Sequence, residues 1–104
     1  MTSVVYLVKT TVDPSLDAEF NRWYDEEHAP QHLEFRGCVA ARRYRILRTR
    51  DRFKYLAVYE YEDEAALQRW LDSPRRQELI ADHTARFGKP DSSTEVVSQI
   101  WPAP

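Results

Sequence analysis

The chain has 104 residues, 15 Lys and Arg against 17 Asp and Glu, 42% hydrophobic residues and one cysteine. This is a single domain, 1–104, whose two-layer core leaves little protein around a deep cavity, so a pocket is expected to borrow walls from a partner subunit. The formal net charge of -2 argues against a general nucleic-acid or membrane-surface binder, and lone Cys38 excludes an intrachain disulfide framework and a Cys-rich zinc site.

No run reaches the ~18 apolar residues of a membrane span, and the start MTSVVYLVKT lacks a basic leader and a cleavage site. A soluble, cytoplasmic protein is therefore expected. The charge is unevenly spread: residues 1–34 carry two basic and seven acidic side chains, 35–60 eight and two, and 61–104 five and eight. An arginine-dense middle lies between acidic flanks.

Residues 3–10 are short and rich in Val and Tyr and predict a strand, with Val4, Tyr6 and Val8 on one face and Val5 and Leu7 on the other. Asp13-Pro14 supplies an N-cap followed by proline at the first helical position. Leu16, Phe20, Trp23, Tyr24, Glu27 and Gln31 then recur at helical spacing to about residue 33, with Pro30 predicted to bend or end the helix near Ala29. Gly37 marks a turn. From Cys38 to Arg48 the chain alternates, with Cys38, Ala40, Tyr44 and Ile46 on one face and Val39, Ala41, Arg43, Arg45 and Leu47 on the other.

Residues 49–52 make a polar hairpin. A third strand at 53–61 sets Phe53, Tyr55, Ala57, Tyr59 and Tyr61 against Lys54, Leu56, Val58 and Glu60. Asp63 caps a short helix with Ala66, Leu67, Trp70 and Leu71. Ser73-Pro74 begins another, with Leu79, Ile80, His83 and Phe87 on one stripe before Gly88 stops it. A last strand is placed at 94–101, holding Val96, Val97, Ile100 and Trp101.

The order β-α-β-β-α-β predicts an α+β fold, a ferredoxin-like antiparallel sheet with its helices on one face. Helices cover one face only, yet the first strand is apolar on both and the third carries five side chains ill suited to water. A two-fold homodimer with facing sheets would remove such a patch.

The segment RWYDEEHAPQHL, 22–33, puts polar groups into an inward stripe. Tyr24 and His28 fall one turn apart beside Trp23 and Glu27. His28 sits in what reads as the last helical turn, where the helix C-terminus favours imidazolium, and its ordinary pKa of ~6.5 suits a general acid or base. Tyr24 would hold a substrate oxygen or orient that ring. The plainer alternative is a helix-terminal histidine that caps carbonyls. Glu27 reads as a surface partner for arginines, and His32, following Pro30, as a surface residue.

His83 lies on an inward stripe with Phe87 and could reach the same cavity from the second helical layer. Its alternative is a helix-face residue bonded to backbone. The arginines at 42, 43, 45, 48, 50 and 52 read as a charged sheet edge, or Arg43 or Arg45 as an anchor for a substrate carboxylate or phenolate. Pro30 interrupts any i, i+4 ligand pair made by His28 and His32, and no HExxH arrangement exists, so no metal is expected.

The run W-Y-D-E-E-H-A-P, then Gly37 and A-R-R-Y-R at 41–45, resembles the EthD-like branch of the dimeric α+β barrel superfamily, whose members share an aromatic-rich first helix ending in H-x-P. The resemblance implies a homodimer of ferredoxin-like subunits with facing sheets, and a small apolar cavity between sheet and helices. Relatives include polyketide cyclases, lactone isomerases, quinone-forming monooxygenases and haem-degrading enzymes, many needing no cofactor. Trp23, Tyr24, His28 and Pro30 carry over from the motif. Arg36 replaces a proline often found before the turn glycine, which would alter the loop at the pocket mouth; Trp70 and His83 match haem-degrading relatives, but strand one lacks their Asn, which argues against haem, and no cofactor is expected.

These readings converge on a cofactor-independent enzyme performing acid/base chemistry on a hydrophobic oxygenated small molecule. His28 moves the proton, Tyr24 and His83 assist, and Trp23, Tyr44, Arg43, Tyr6 and Phe87 contact substrate. The rivals are a non-catalytic small-molecule binder or accessory protein, a cofactor-free monooxygenase and an RNA-recognition module. The last is disfavoured because FKYLAVYEY lacks the glycines that admit bases.

Overall fold

The computed structural model of the chain describes residues 3–103. Strands β1 (Val4–Thr11), β2 (Cys38–Arg45), β3 (Tyr55–Tyr61) and β4 (Asp91–Ser98) form one antiparallel sheet in the order β2-β3-β1-β4. The first crossover holds a 3-10 turn (Pro14–Leu16), α1 (Asp17–Trp23), a π-helical turn (Tyr24–His28) and α2 (Ala29–Leu33). The second holds α3 (Glu64–Leu71) and α4 (Pro74–Phe87). This is the ferredoxin-like order expected from the pattern of elements. No helix among the described residues is long and apolar enough to cross a membrane.

The two faces of the sheet follow from its register. Tyr6 pairs with Tyr59 and Val8 with Ala57, so β1 and β3 turn one common set of side chains toward the helices. Tyr55, Ala57, Tyr59 and Tyr61 are all buried there, while Leu56, Val58 and Glu60 alternate onto the uncovered face. The aromatic side of β3 is thus the covered one. What remains open is the aliphatic side: Val5, Leu7, Leu56 and Val58, none fully buried.

The helical layer contributes Phe20, Leu67 and Trp70, each at most 2% exposed, and joins the tyrosines in one core. Burying each of these large side chains is worth roughly 1.5–3 kcal/mol before the cost of ordering it.

Local chemistry sets the helix ends. Asp13 accepts hydrogen bonds from the Ser15 backbone N–H at 2.9 Å and from its hydroxyl at 2.7 Å, and Pro14 starts the first turn. Asp63 accepts from Ala66 N–H at 2.8 Å at the start of α3. Ser73 accepts from Arg76 N–H at 3.2 Å and donates to the Trp70 carbonyl at 2.7 Å, capping α4 and tying it to α3. Gly88, with φ +83°, ends α4 in a conformation that favours glycine. Gly37 is required twice over: its φ is +106°, and a Cβ would lie 2.7 Å from Ala66 Cβ.

Pro30 does not end the first helix, which runs on to Leu33. In the π turn, Ala29 N–H bonds the Tyr24 carbonyl five residues back. That widened turn accommodates a residue that lacks an N–H and crowds the carbonyl four positions earlier. The alternation of β2 is also interrupted. Its register shifts between Cys38 and Ala40, so Cys38 pairs with Tyr61 on the covered face while Ala40, Arg42 and Tyr44 lie on the open one. Cys38 therefore shares its face with Ala41 rather than with Ala40 and Tyr44.

The last strand begins earlier than its apolar residues suggest. Pairing of Thr11 with Asp91 through Val4 with Ser98 fixes β4, and Ile100 and Trp101 fall beyond it, 84% and 85% exposed. Backbone pairing to a central strand overrides the polar sequence DSST at its start.

Candidate functional site

Between the covered face of the sheet and the helices lies a cavity of about 150 Å³. That is the size of a void that admits one benzene-sized ring. Tyr6, Val8 and Thr10 of β1 and Tyr59 of β3 form its floor. Tyr24, His28 and His32 come from the first helical layer, Trp70 from α3, and Arg76, Leu79, Ile80 and His83 from α4. Exposed Ser92 and Thr94 of β4 stand at its rim. Ala57 opposite Val8, with Thr94 on the other side of Val8, keeps the middle of the floor low.

Two hydroxyls meet there: Tyr24 Oη and Tyr59 Oη lie 2.9 Å apart. One proton is used between them, which leaves one hydroxyl proton for a third oxygen. Burial pushes the Tyr24 phenol up to about 12, and burial also raises that of Tyr59 well above its usual value. Both remain protonated donors at neutral pH.

Three imidazoles line the same cavity, two of them against the pair. His28 stacks on Trp23 with centroids 4.6 Å apart and meets Tyr24 edge-on at 4.7 Å. Its Nδ1 is buried and has no hydrogen-bond partner among the described residues. Burial first, then the positive potential of His32, His83 and Arg43, lowers its pKa to about 2. Because the helix continues past it, His28 lacks the C-terminal carbonyls that would favour imidazolium, and the ring is neutral.

His32 is 5% exposed, not a surface residue. It stacks on Tyr59 at 3.9 Å and donates from Nδ1 to the His28 carbonyl at 2.9 Å, so its Nε2 carries the lone pair. Burial, helped by Arg76, lowers its pKa to about 4. His83 donates from Nδ1 to the Gly88 carbonyl at 3.1 Å, and its pKa is lowered, mainly by burial. The backbone bond expected of His83 and its position on the cavity wall thus coexist.

Of the residues singled out in the sequence, Tyr24, His28, His83 and Tyr6 share this cavity. Trp23 and Phe87 do not line it. They flank a separate surface depression with Glu26, Glu27 and Arg86, and Trp23 Nε1–H donates to Asp82 at 3.2 Å. Glu27 is paired with Arg86 at 3.7 Å rather than with the arginines of β2.

Arg43 lies behind Tyr24, its guanidinium 4.2 Å from the ring centroid, and bonds Asp25 at 2.6 Å and Asn21 at 2.9 Å. Tyr44 is on the opposite face of the sheet, 51% exposed, because the β2 register pairs it with Leu56. It cannot contact a ligand in this cavity. His32, Tyr59 and Arg76 are the additions. The signal for His32 was the spacing 24, 28, 32, hidden by the assumption that Pro30 ends the helix.

No group of three or more His, Cys, Asp or Glu side chains able to hold a metal occurs among the described residues. The chemistry these side chains offer is a hydroxyl donor beside neutral imidazole acceptors, in a hollow lined largely by aromatic rings and open at the Ser92–Thr94 rim.

Comparison with solved structures places this architecture among ferredoxin-like proteins. An EthD family protein from Bacillus halodurans C-125 matches with a TM-score of 0.72 at 17% identity, covering 96% of this chain and 100% of that one. A DABB family protein with a ferredoxin-like fold from Mesorhizobium loti MAFF303099 gives 0.74 at 16% identity, covering 96% and 97%. A dimeric ferredoxin-like protein of unknown function from Jannaschia sp. CCS1 gives 0.66 at 16% identity, covering 93% and 97%. The resemblance drawn from the first helix holds at the level of fold. No curated protein matches the sequence. A family model matches residues 3–97, and the chain belongs to that family, described as domain of unknown function DUF4286.

Proposed function

We propose that this protein is a small cofactor-independent enzyme that moves a proton on a hydrophobic, oxygenated, single-ring molecule, in a cyclisation, isomerisation, dehydration or related step. The observation that carries this reading is the Tyr24–Tyr59 hydroxyl pair, 2.9 Å apart, facing the same cavity as neutral His28. The free hydroxyl proton is donated to a carbonyl or ring oxygen of the substrate. His28 takes a proton from the neighbouring carbon or hydroxyl, and the bond's electrons pass to that oxygen, which the tyrosine stabilises.

With a pKa near 2, the His28 imidazolium is unfavourable alone. It becomes favourable only beside the enolate or phenolate it has just created, which confines proton transfer to the bound complex. The His28 imidazolium then returns the proton to another atom of the same ring, and His83 offers a further acceptor on the cavity wall.

The active form in this reading is a two-fold homodimer joined through the uncovered sheet face. Val5, Leu7, Leu56 and Val58 on that face support it, as does the description of the Jannaschia relative as dimeric.

The test is solvent-deuterium exchange followed by proton NMR over a panel of single-ring phenols, cyclic 1,3-diketones and lactones. Catalysed exchange is expected for at least one class, falling by about 10²–10⁴-fold in His28→Ala. Unchanged exchange in His28→Ala would overturn the mechanism. A second reading, a non-catalytic binder of the same ligands, is favoured by the lowered pKa of all three cavity histidines, which suits neutral hydrogen bonding. Tight ligand retention with no exchange across the panel decides for it.

A further inference from the structure

The electrostatics of the cavity are one-sided. The protein carries 17 acidic side chains, yet none lines this cavity, whereas one arginine, Arg76, does. Three arginines lie on α4. Arg75 pairs with Glu78 at 3.0 Å, and Arg86 pairs with Asp82 at 2.9 Å. Arg76 makes no ion pair with a carboxylate among the described residues, and its half-buried side chain turns to the cavity.

The placement of Arg76 is built into the fold. Its backbone N–H is held by the Ser73 hydroxyl at the start of α4, and the same hydroxyl is fastened to Trp70, another wall of the cavity. Its charge reaches His32, whose pKa it helps to lower. The rest of the lining is aromatic, aliphatic or neutral and polar. An unpaired guanidinium at the wall of a ring-sized apolar hollow has one evident complement: a planar anion attached to a ring, which its fork of N–H donors grips through two parallel bonds.

We propose that the cavity selects small cyclic organic acids, with the ring against Tyr6, Tyr59 and Trp70 and the carboxylate on Arg76. This inference rests on the reading of the cavity as a ligand site and narrows its substrate class to anions. The carboxylate is the binding handle. The Tyr24–Tyr59 pair and His28 stay free to work on another oxygen of the same ring.

The experiment is calorimetric titration of the full chain with benzoate and with its uncharged analogue benzamide at pH 7.5 and low salt, monitored in parallel by NMR of the histidine ring signals. Wild type is expected to bind benzoate about tenfold or more tighter than benzamide. Arg76→Gln removes that preference, lowering benzoate affinity by about tenfold or more and benzamide affinity far less, and Arg76→Lys retains part of it. A thermal unfolding scan of each variant checks that the fold is intact, which the only partly buried position of Arg76 favours.

Equal affinity for the two compounds in wild type, or benzoate affinity unchanged in Arg76→Gln, overturns the proposal. If benzamide binds and shifts the histidine signals as well as benzoate does, the anion preference fails but the cavity stands as a ligand site. If neither compound binds at millimolar concentration, both fail.

Discussion

The two faces of the β1–β3 pair are made by the same two strands, one residue apart in phase, and do opposite things. On the covered face, Tyr6, Tyr55, Tyr59 and Tyr61 combine apolar rings with polar tips, and two of the tips meet partners from the helical layer: Tyr59 with Tyr24, Tyr55 with Asp17 and Asn21. On the open face, Val5, Leu7, Leu56 and Val58 are purely aliphatic among Lys9, Arg42 and Glu60. The phenol face lines a cavity with hydroxyls, whereas the branched-aliphatic face carries no polar group on these four side chains. The difference comes from alternation alone, so a one-residue slip in either strand would exchange the two roles.

Substitutions on each face test that division. The largest effect is expected from Trp70→Ala, which removes a 1% exposed ring from the covered side. Urea unfolding should show a loss of about 3–5 kcal/mol, and a loss below ~1 kcal/mol would mean that the helical layer is not anchored there.

Next in size is acid sensitivity. Burial holds the folded-state pKa of His28 near 2 and that of His32 near 4, below the ~6.5 of the unfolded chain. The unfolded form therefore binds more protons below about pH 6.5, so this stability is present above that pH and is lost as the pH falls, toward 4 for His32 and toward 2 for His28. At fixed protein concentration the two rings together should remove up to about 3 kcal/mol between pH 6.5 and 5, and His28→Gln should flatten the slope. A profile flat to pH 5 would contradict their burial as neutral groups.

On the open face, Val58→Lys should barely alter the folding of the subunit but weaken self-association by about tenfold or more, as read by sedimentation velocity. A wild-type chain that sediments as a lone subunit at micromolar concentration would remove the dimer altogether. The smallest effect is expected from Tyr59→Phe. It strips the Tyr24 hydroxyl of its partner, costing about 1 kcal/mol of stability, while exchange activity falls because the donor is no longer oriented.

Much of this was legible in the sequence because local and global signals agreed. The Val and Tyr alternation of β1 and β3, the caps at Asp13, Asp63 and Ser73 and the stop at Gly88 each point to the element that forms. The readings that failed depended on events that periodicity does not record. A bulge beside Val39 moved Cys38 to the covered face. Ladder pairing with β1, not hydrophobicity, set the limits of β4. Tyr44 and Arg43 are adjacent on an alternating strand, so at most one of them could face the helices. Arg76 stood within a run of charge, and only the fold separates it from its paired neighbour Arg75.

The π turn has a further consequence. In an unbroken α-helix each residue advances about 100°, so positions four apart creep about 40° around the axis. Over the three steps from Phe20 to His32 that creep would carry the last ring about 120° off the line of the first. The looser winding from Tyr24 to His28 takes back part of the rotation, and a four-residue ladder of rings stays on one bearing. Deleting one residue from that turn would tighten the coil and swivel both imidazoles out of the cavity, with every lining residue still encoded in the chain.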